Sequence, residues 1–267
     1  MLSRRQAVGY VSVLAAAFAV AVVAGFTAMG RQVDADAYDW MFRLTPPASW
    51  QPESALLTID EASLAGMGGI RRLRTILAEG LESLEGVPLK AVVLDITLAD
   101  AGDPSEDARL EAAMCKISNL VLAAEMLPAG QGWQEPLGRF RRCAAAVGHV
   151  HAAPDELDGV NRHIPLEKVA GNRRYWALAL EAFRLSRGVE RIVESPDDLQ
   201  VGSVVVPARR EDARSVLLRY LPPAADSSIP IQHLSIDALR RDPTLREQLR
   251  GRTVFVGVTA QSAARDR

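Results

Sequence analysis

The stretch Lys90–Leu98, KAVVLDITL, decides the fold. Its core, AVVLDI, is apolar on both faces, a pattern typical of a parallel strand that helices cover on both sides. The upstream stretch Leu56–Leu64, LLTIDEASL, has the same form, since an apolar run ends at an acid and a helical pattern follows. Both predicted strands therefore end at an aspartate, Asp60 in the first and Asp95 in the second.

A helix is predicted between these strands, and the alternation continues along the chain. The segment 70–84, IRRLRTILAEGLESL, keeps apolar residues at i, i+3 and i+4 spacing, so one of its faces can cover a sheet. The segments EDARLEAAMCKI (106–117) and NLVLAAEM (119–126) then indicate another helix and another strand. Repeated strand–helix–strand order predicts βαβ units, and hence an α/β fold with a mixed, largely parallel sheet flanked by helices.

The second half of the chain predicts a β-hairpin region inserted into this fold. The segment 148–166, GHVHAAPDELDGVNRHIPL, indicates a strand, a turn at Asp158-Gly159 and a returning strand, because Asp-Gly between alternating runs is a strong hairpin signal. The segment 174–188, RYWALALEAFRLSRG, restores a helix. A further helix over 234–251 leads to a last strand, TVFVGVT, at 253–259.

The N-terminus predicts a membrane anchor. Residues 7–30 carry no charge, and a helix of that length spans about 36 Å, enough to cross a hydrocarbon core of about 30 Å. Arg4 and Arg5 precede the run and acids follow it, so the positive-inside rule places everything after Arg31 outside the cytoplasm. A cleaved signal peptide and a buried core helix are the alternatives, but the run is longer than a signal-peptide core. The predicted segments are a cytoplasmic N-terminus (1–6), a transmembrane helix (7–30), a juxtamembrane linker (31–53) and an outer domain (54–267).

Composition and motifs narrow the function. Of the 267 residues, 48% are hydrophobic and 24% are charged, so the chain can bury a full core. The formal net charge of −2 and the mixing of arginines with acids leave no basic stripe, so we expect no nucleic-acid partner. The glycines within 66–69 lack the setting of a phosphate loop, and GVTAQSA at 257–263 lacks the Gly-x-Ser-x-Gly of a nucleophile elbow. No cofactor is predicted.

Two residue pairs raise the question of a disulfide or a metal site. Cys115 and Cys143 are the only cysteines. In an oxidising compartment they could close a loop worth about 3.5 kcal/mol, and otherwise they are buried thiols without the spacing of a zinc site. His149 and His151 alternate on one face of a predicted strand. No third ligand lies nearby in the sequence, so we expect a satisfied surface pair and no metal.

The order of these landmarks resembles a known family. The chain resembles the extracellular CHASE type-2 sensor domain over roughly Asp34 to Asp266. Members usually carry an aromatic–proline–arginine cluster after the first acidic motif, where this chain has MGGIRR and keeps Arg71 or Arg72 alone. The motifs that carry the resemblance are, in order, the anchor, TIDEASL, an arginine-led helix, AVVLDITLAD, GHV…DGVNRHIPL, YWALALEA, HLSIDAL and LRGRTVFVGVTAQSAARD.

The resemblance implies the extracytoplasmic ligand-sensing input domain of a bacterial receptor, held in the inner membrane with its main domain in the periplasm. Such domains are usually followed by three membrane helices and a cytoplasmic output: an adenylate or other nucleotide cyclase, a histidine kinase, or a serine/threonine kinase. The sequence stops at Arg267, so we expect the output in a longer chain. The implied partners are a small ligand, an ion or a periplasmic protein, and a second copy in a homodimer. The sensor portion itself is not expected to be an enzyme.

The strand-ending aspartates form the predicted site. Ligands of open α/β sheets bind beyond the carboxyl ends of the strands, so Asp60 and Asp95 are expected on neighbouring strands and close together. Two close carboxylates repel unless a cation or a proton intervenes, and Arg71 or Arg162 is the expected partner, with a metal or cationic ligand as the alternative. Other acids expected at this rim are Glu61, Asp100, Asp103 and Asp158.

Each functional interpretation has a simpler rival. For Asp60 and Glu61 the rival is helix capping, because DEAS before a helical turn is ordinary N-cap chemistry. The main alternative function is an exported hydrolase that uses the Asp60 and Asp95 carboxylates. A third is a structural module in which salt bridges use every acid. Under the sensor hypothesis no residue is assigned a catalytic role, and residues 34–43 and the end of VFVGVTAQS (254–262) are expected to move with the signal.

Overall fold

The structure, a computed structural model, describes residues 4–44, 52–152, 154, 158–220 and 231–262, without the side chains of residues 4, 7 and 42. The chain divides into two compact units. The first comprises Met1–Trp50, Pro154–Arg162 and Arg219–Pro222. The second comprises Gln51–Ala153, His163–Leu218 and Pro223–Arg267.

The described residues form helices, strands and short 3-10 turns. The α-helices are α1 (Arg4–Gly25), α2 (Ala28–Leu44), α3 (Glu61–Met67), α4 (Leu73–Ser83), α5 (Pro104–Met114), α6 (Gly138–Arg141), α7 (Leu178–Ser186) and α8 (Ile236–Arg241). The strands are β1 (Ser54–Ile59), β2 (Ala91–Leu94), β3 (Leu120–Met126), β4 (Trp133–Gln134), β5 (Ala146–His149), β6 (His163–Pro165), β7 (Glu167–Ala170), β8 (Arg173–Trp176), β9 (Val193–Glu194), β10 (Asp198–Val201), β11 (Val204–Pro207), β12 (Ser215–Leu217), β13 (Gln232–Ser235) and β14 (Thr253–Val258). The 3-10 helices are Ile70–Arg72, Pro128–Gly130, Arg210–Asp212 and Pro243–Leu249.

The first unit contains two helices joined by a bend. In α1 the window Val8–Gly25 has a mean hydropathy of 2.2, and none of it is buried. Thr27 forms the bend, since its hydroxyl donates to the carbonyl oxygen of Ala24 (2.6 Å) and accepts from the N–H of Gly30 (3.1 Å). This is an N-cap for α2. The apolar helix is long enough to cross a membrane.

The segment predicted as a juxtamembrane linker is helical as far as Leu44. Residues 31–44 belong to α2, and the predicted span 7–30 is interrupted by the bend at residues 26 and 27. Helix forms here because residues 28–44 contain no proline and because apolar residues recur at helical spacing.

A parallel sheet is the centre of the second unit. The strand order is β13-β1-β14-β2-β3, and β5 pairs with the far edge of β3. All of these pairings are parallel, whereas β4 pairs antiparallel with the end of β3. The mixed, largely parallel sheet predicted from the sequence is confirmed.

Helices cover both faces of this sheet. On one face Val92 and Leu94 pack in a core with residues of α4, α5 and α8. On the other face Val93 packs with residues of α7. A Cβ at Gly148 would lie 2.5 Å from the Cα of Leu178, so glycine in β5 permits the close approach of α7. This two-sided burial is what the AVVL pattern predicts.

The predicted hairpin across Asp158-Gly159 is wrong in its pairing. The turn is present, because Gly159 has a φ of +73° and Asp158 Oδ1 accepts from the N–H of Val160 (3.0 Å). The flanking strands do not pair with each other, since β5 lies parallel to β3 and β6 pairs antiparallel with β12. The free edge of β5 instead forms a bridge between His149 and Ala177, so a returning strand has no edge to join.

Small antiparallel sheets complete the second unit. They are β6–β12, β7–β8 and β9–β10–β11. Arg214, 1% exposed, links them: its guanidinium donates to the carbonyl oxygens of Ala208 (2.9 Å) and Asp198 (3.2 Å) and pairs with Glu167 (3.3 Å). A buried arginine is retained because all these acceptors satisfy it.

Candidate functional site

Asp60 caps a helix at the carboxyl edge of the parallel sheet. Its Oδ1 accepts from the backbone N–H of Ser63 (2.8 Å), the hydroxyl of Ser63 (2.8 Å) and the hydroxyl of Ser235 (3.0 Å). Burial opposes ionisation of Asp60, but these hydrogen bonds outweigh it and lower its pKa. Ser235 in turn accepts from the N–H of Asp237 at the start of α8 (3.2 Å). Asp60 therefore joins the first turns of α3 and α8 to the end of β1.

Glu61 connects the same helix to the chain after β14. Its Oε1 accepts from the N–H of Ser262 (2.9 Å), and its Oε2 accepts from the hydroxyl of Ser262 (2.6 Å). Both residues are exposed. This surface contact joins the start of α3, which follows β1, to the segment after β14.

Asp95 lies apart from Asp60, which corrects the predicted carboxylate pair. β14 lies between β1 and β2 in the sheet, so two strand spacings, about 10 Å, separate the ends of these strands. The prediction failed because the last strand of the chain enters between the first two. The N–H of Asp95 donates to the carbonyl oxygen of Val256 (2.9 Å) in β14.

The carboxyl group of Asp95 lies at the same edge of the sheet, directly after β2. Its side chain keeps an exposed surface, yet desolvation by the surrounding protein raises its pKa. Among the described residues no side chain donates a hydrogen bond to it or forms an ion pair with it. An acid in this state can bind a cation, or a donor group that compensates the desolvation.

Asp158 and Arg162 do lie together, in the first unit, and a third residue joins them. The guanidinium of Arg162 donates to both oxygens of Asp39 (3.2 and 2.8 Å) and both oxygens of Asp158 (3.1 and 2.8 Å). Arg162 is 6% exposed. Its hydrogen bonds lower the pKa of each acid, and those acids raise the pKa of the guanidinium. We call these three residues the Arg162 clamp.

The remaining predicted rim residues lie elsewhere. Arg71 is exposed in the 3-10 helix before α4 and forms no ion pair with another described residue. Asp103 caps α5, accepting from the N–H groups of Ser105 (2.9 Å) and Glu106 (3.2 Å). Asp100 is exposed, and its carbonyl oxygen accepts from Arg74.

His149 is buried, which corrects the predicted surface pair. It is 2% exposed, its Nδ1 accepts from the N–H of His151 (3.2 Å), and its ring stacks on Trp133 at 6.1 Å. Burial, followed by the positive charges of His151 and Lys168, lowers its pKa to about 4. Its Nε2 has no hydrogen-bond partner in the described part of the chain. The described residues contain no cluster of three side chains that could hold a metal.

Cys115 and Cys143 form a disulfide with Cα atoms 4.5 Å apart. The bond joins the end of α5 to the segment that follows α6. Of the two states left open by the sequence, the structure has the paired one.

A surface cavity lies at the opposite, amino-terminal edge of the sheet. It has a volume of about 490 Å³, and Leu84, Val92 and Ile117 line it. Lys116 pairs with Glu85 in its wall (3.0 Å). The cavity could take a small molecule, but both acids of its lining are already paired, Glu85 with Lys116 and Glu82 with Arg109.

Sequence reasoning missed several residues of these networks. Asp39 lay in a segment assigned to a linker, so nothing suggested a partner for it. Ser235 and Ser262 lie near the end of the chain, and their contacts with Asp60 and Glu61 depend on strand order. The one usable signal was a serine or an acid next to a predicted helix start.

The comparisons with known proteins agree with the fold. The family model described as the CHASE2 domain matches residues 14–267, essentially the whole chain. Comparison with curated proteins and with solved structures gave no match. CHASE2 domains are sensor domains of signalling receptors, and the resemblance expected from the sequence is confirmed. The chain belongs to the CHASE2 domain family.

Proposed function

We propose that the chain is the extracytoplasmic input module of a membrane-bound receptor. In this proposal α1 crosses the inner membrane, Arg4 and Arg5 stay in the cytoplasm, and the rest of the chain lies in the periplasm. The disulfide between Cys115 and Cys143 supports this placement, because disulfides persist in oxidising compartments and are rare in the cytosol. The proposed output of this receptor is a nucleotide cyclase or a kinase.

The Arg162 clamp is the observation that carries this proposal. It holds α2, the helix that leads away from the membrane anchor, to the segment 158–162. That segment continues directly into β6, and the partner strand β12 continues into Tyr220, whose hydroxyl donates to the carbonyl oxygen of Asn161 (2.6 Å). Residues 158–162 lie directly before β6, and residues 219–220 follow β12. Both of these segments of the first unit are therefore attached to the two-stranded β6–β12 sheet. A rearrangement of the β6–β12 sheet would move residues 158–162, and the Arg162 clamp would pass that movement to α2.

The proposed stimulus is a small ligand, an ion or a periplasmic protein that contacts the carboxyl edge of the sheet. Asp95 is the proposed contact, since its carboxyl group is exposed at this edge and no described side chain donates a hydrogen bond to it or forms an ion pair with it. A signal requires that the stimulus favours one of two arrangements. The exported hydrolase stays an untested prediction; β14 separates the strands of its two carboxylates, and Asp60 already accepts three hydrogen bonds.

Topology is tested with reporter fusions. Alkaline phosphatase, which is active only outside the cytoplasm, is fused after Leu44 and after Ser262, and green fluorescent protein is fused at the same positions. We expect phosphatase activity and no fluorescence from both positions. Fluorescence from either position would place the domain in the cytoplasm and overturn the proposal.

The clamp is tested by hydrogen exchange in the full chain. Of the two acids that Arg162 pairs with, Asp39 is the one on α2, and Asp39→Asn removes its charge, so the amides of residues 158–162 should exchange severalfold faster. Asp34→Asn, an exposed change on the same helix, is the matched control and should leave their exchange unchanged. Equal exchange in both variants would show that the clamp does not hold the segment.

A further inference from the structure

One face of α2 carries an uncovered apolar stripe. Val33 is 60% exposed, Trp40 61% and Leu44 65%, and Ala37 is also exposed. The four residues follow one another at intervals of four, three and four, which is the a/d spacing of a coiled coil. We call Val33, Ala37, Trp40 and Leu44 the α2 stripe.

The opposite face of α2 is already in use. Ala35 is 8% exposed, and Asp39 lies in the Arg162 clamp. The helix therefore has one side that is held within the first unit and one side that contacts no described residue closely enough to be buried. Large apolar side chains in such a row indicate a partner.

We propose that the α2 stripe packs against the same stripe of a second copy as a short parallel coiled coil. In each copy α2 follows α1, so two copies anchored in one membrane present their α2 helices in the same direction. Equivalent residues then meet. Val33 and Trp40 occupy d positions, and Ala37 and Leu44 occupy a positions, so the small Ala37 lies between the larger Val33 and Trp40 along the seam. This inference rests on the proposed membrane anchoring and not on the proposed stimulus.

The charges beside the stripe fit a parallel pair. In that register Asp36 at g faces Met41 at e of the second copy, and Met29 at g faces Asp34 at e. No like charges are opposed among these positions. The membrane surface is a poorer occupant, because α2 carries three acids and only two arginines, whereas helices that lie on anionic lipid have a basic polar side.

The area is enough for a weak interface that the membrane reinforces. Five large apolar residues on this side, Met29, Val33, Trp40, Met41 and Leu44, are each at least 60% exposed. Covering them in two copies would remove on the order of 1,000 Å² from water, the lower limit of a specific interface. So short a coil is marginal in solution, and confinement of both copies to one membrane raises their effective concentration.

Disulfide cross-linking of the full chain in membranes tests the stripe. Cys115 and Cys143 are bonded to each other, so a cysteine introduced into α2 supplies the free thiol. We expect Val33→Cys and Ala37→Cys to give at least tenfold more covalent dimer on mild oxidation than Arg31→Cys, an exposed control at an outward b position. Equal cross-linking at all three positions, or none, would overturn the proposal.

A charge placed in the seam gives a second test. Ala37→Glu opposes two acids, so cross-linking through Val33→Cys should fall at least tenfold, whereas Asp36→Glu, which keeps its charge, should leave it unchanged. Loss in neither variant would reject the seam. If a fluorophore on Val33→Cys is quenched by brominated lipid and no dimer forms, the stripe lies on the bilayer and the proposal is wrong. Reporter fusions that still place residue 44 outside would show that only this inference had failed.

Discussion

Lowering the pH from 7.5 to 4.5 is expected to destabilise the folded chain through His149. This residue ends β5, is 2% exposed and stacks on Trp133. Burial, helped by the positive charges of His151 and Lys168, lowers the pKa of His149 from 6.5 to about 4. The folded state therefore keeps the ring neutral at a pH where the unfolded chain protonates it.

The sign and the size of the effect follow from proton linkage. A base whose folded pKa lies below its unfolded pKa gives its full stability above the unfolded value, 6.5, and loses it as the pH falls towards the folded value, about 4. Each pKa unit corresponds to about 1.4 kcal/mol, so the loss is about 3 kcal/mol, most of it reached by pH 4.5. Paired acids add to the loss at the low end of this window, because the pKa values of Glu53, Glu111, Glu135 and Glu194 are lowered from 4.5 in the folded state. The contribution of His149 is therefore the difference between the unmodified chain and a His149 variant.

Urea unfolding of the full chain in detergent, at four pH values between 7.5 and 4.5, measures the loss. His149→Asn keeps an acceptor near the position of Nδ1, so it should be less stable at pH 7.5 and should lose about 3 kcal/mol less than the unmodified chain as the pH falls to 4.5. Burial also lowers the pKa of the half-buried His151 ring. The His151→Gln variant measures how much of the pH-dependent loss of stability comes from this second histidine. The exposed His233→Gln variant should follow the unmodified chain. The same loss of stability in His149→Asn and in the unmodified chain would refute the reasoning.

Two further substitutions test the fold. Replacing Cys115 and Cys143 by alanine should lower the free energy of unfolding by about 3.5 kcal/mol, because the disulfide spans a sequence separation of 28. Dithiothreitol should reproduce this loss in the unmodified chain and leave the variant unchanged, and a disulfide without effect would contradict the estimate. Gly148→Ala should cost about 2–3 kcal/mol, because the new methyl group would lie 2.5 Å from the backbone of α7. Gly138→Ala, which has no atom within 4 Å, is the matched control and should change stability by less than about 1 kcal/mol in thermal unfolding.

Local patterns in the sequence predicted the elements of the sheet but not their order. KAVVLDITL and LLTIDEASL are strands that end at acids, as their apolar runs indicate. Their separation by β14 depends on a pairing between residues about 200 positions apart in the chain, such as Leu57 with Val256. The periodicity of apolar residues indicates which residues of a strand are buried. It does not indicate which distant strand pairs with that strand. The Asp60–Asp95 pair was predicted from chain order, and chain order was misleading here.

The turn at Asp158-Gly159 shows the same division between local and distant information. Asp-Gly specifies a tight turn through the side chain of Asp158 and the positive φ of Gly159, and both are present. Whether the flanking segments pair is decided elsewhere, because β5 finds its partner in β3 and β6 in β12. Turn chemistry predicts the change of direction, and only free strand edges decide a hairpin.

The candidate site divides in the same way. The capping role of Asp60 was open to sequence reasoning because an acid before a helical turn has a known local use. Only one pair of the Arg162 clamp could be predicted from the sequence. Asp158 and Arg162 are four residues apart, whereas Asp39 is 123 residues away from Arg162. The buried state of His149 depends on Trp133 and on the bridge to Ala177, and no pattern around His149 indicates either contact.

The interactions on the two faces of α2 limit how large a free-energy change must be to alter the position of this helix. A stimulus can shift the arrangement of residues 158–162 only by its difference in affinity for the two states, and such coupling is typically about 1–3 kcal/mol. A coupling free energy of that size would not separate a large obligate interface on the α2 stripe. A weak seam of the order of 1,000 Å², populated because the membrane confines both copies, would respond to it. If the α2 stripe is such a weak seam, a substitution that strengthens it should reduce the response to a stimulus as much as a substitution that breaks it.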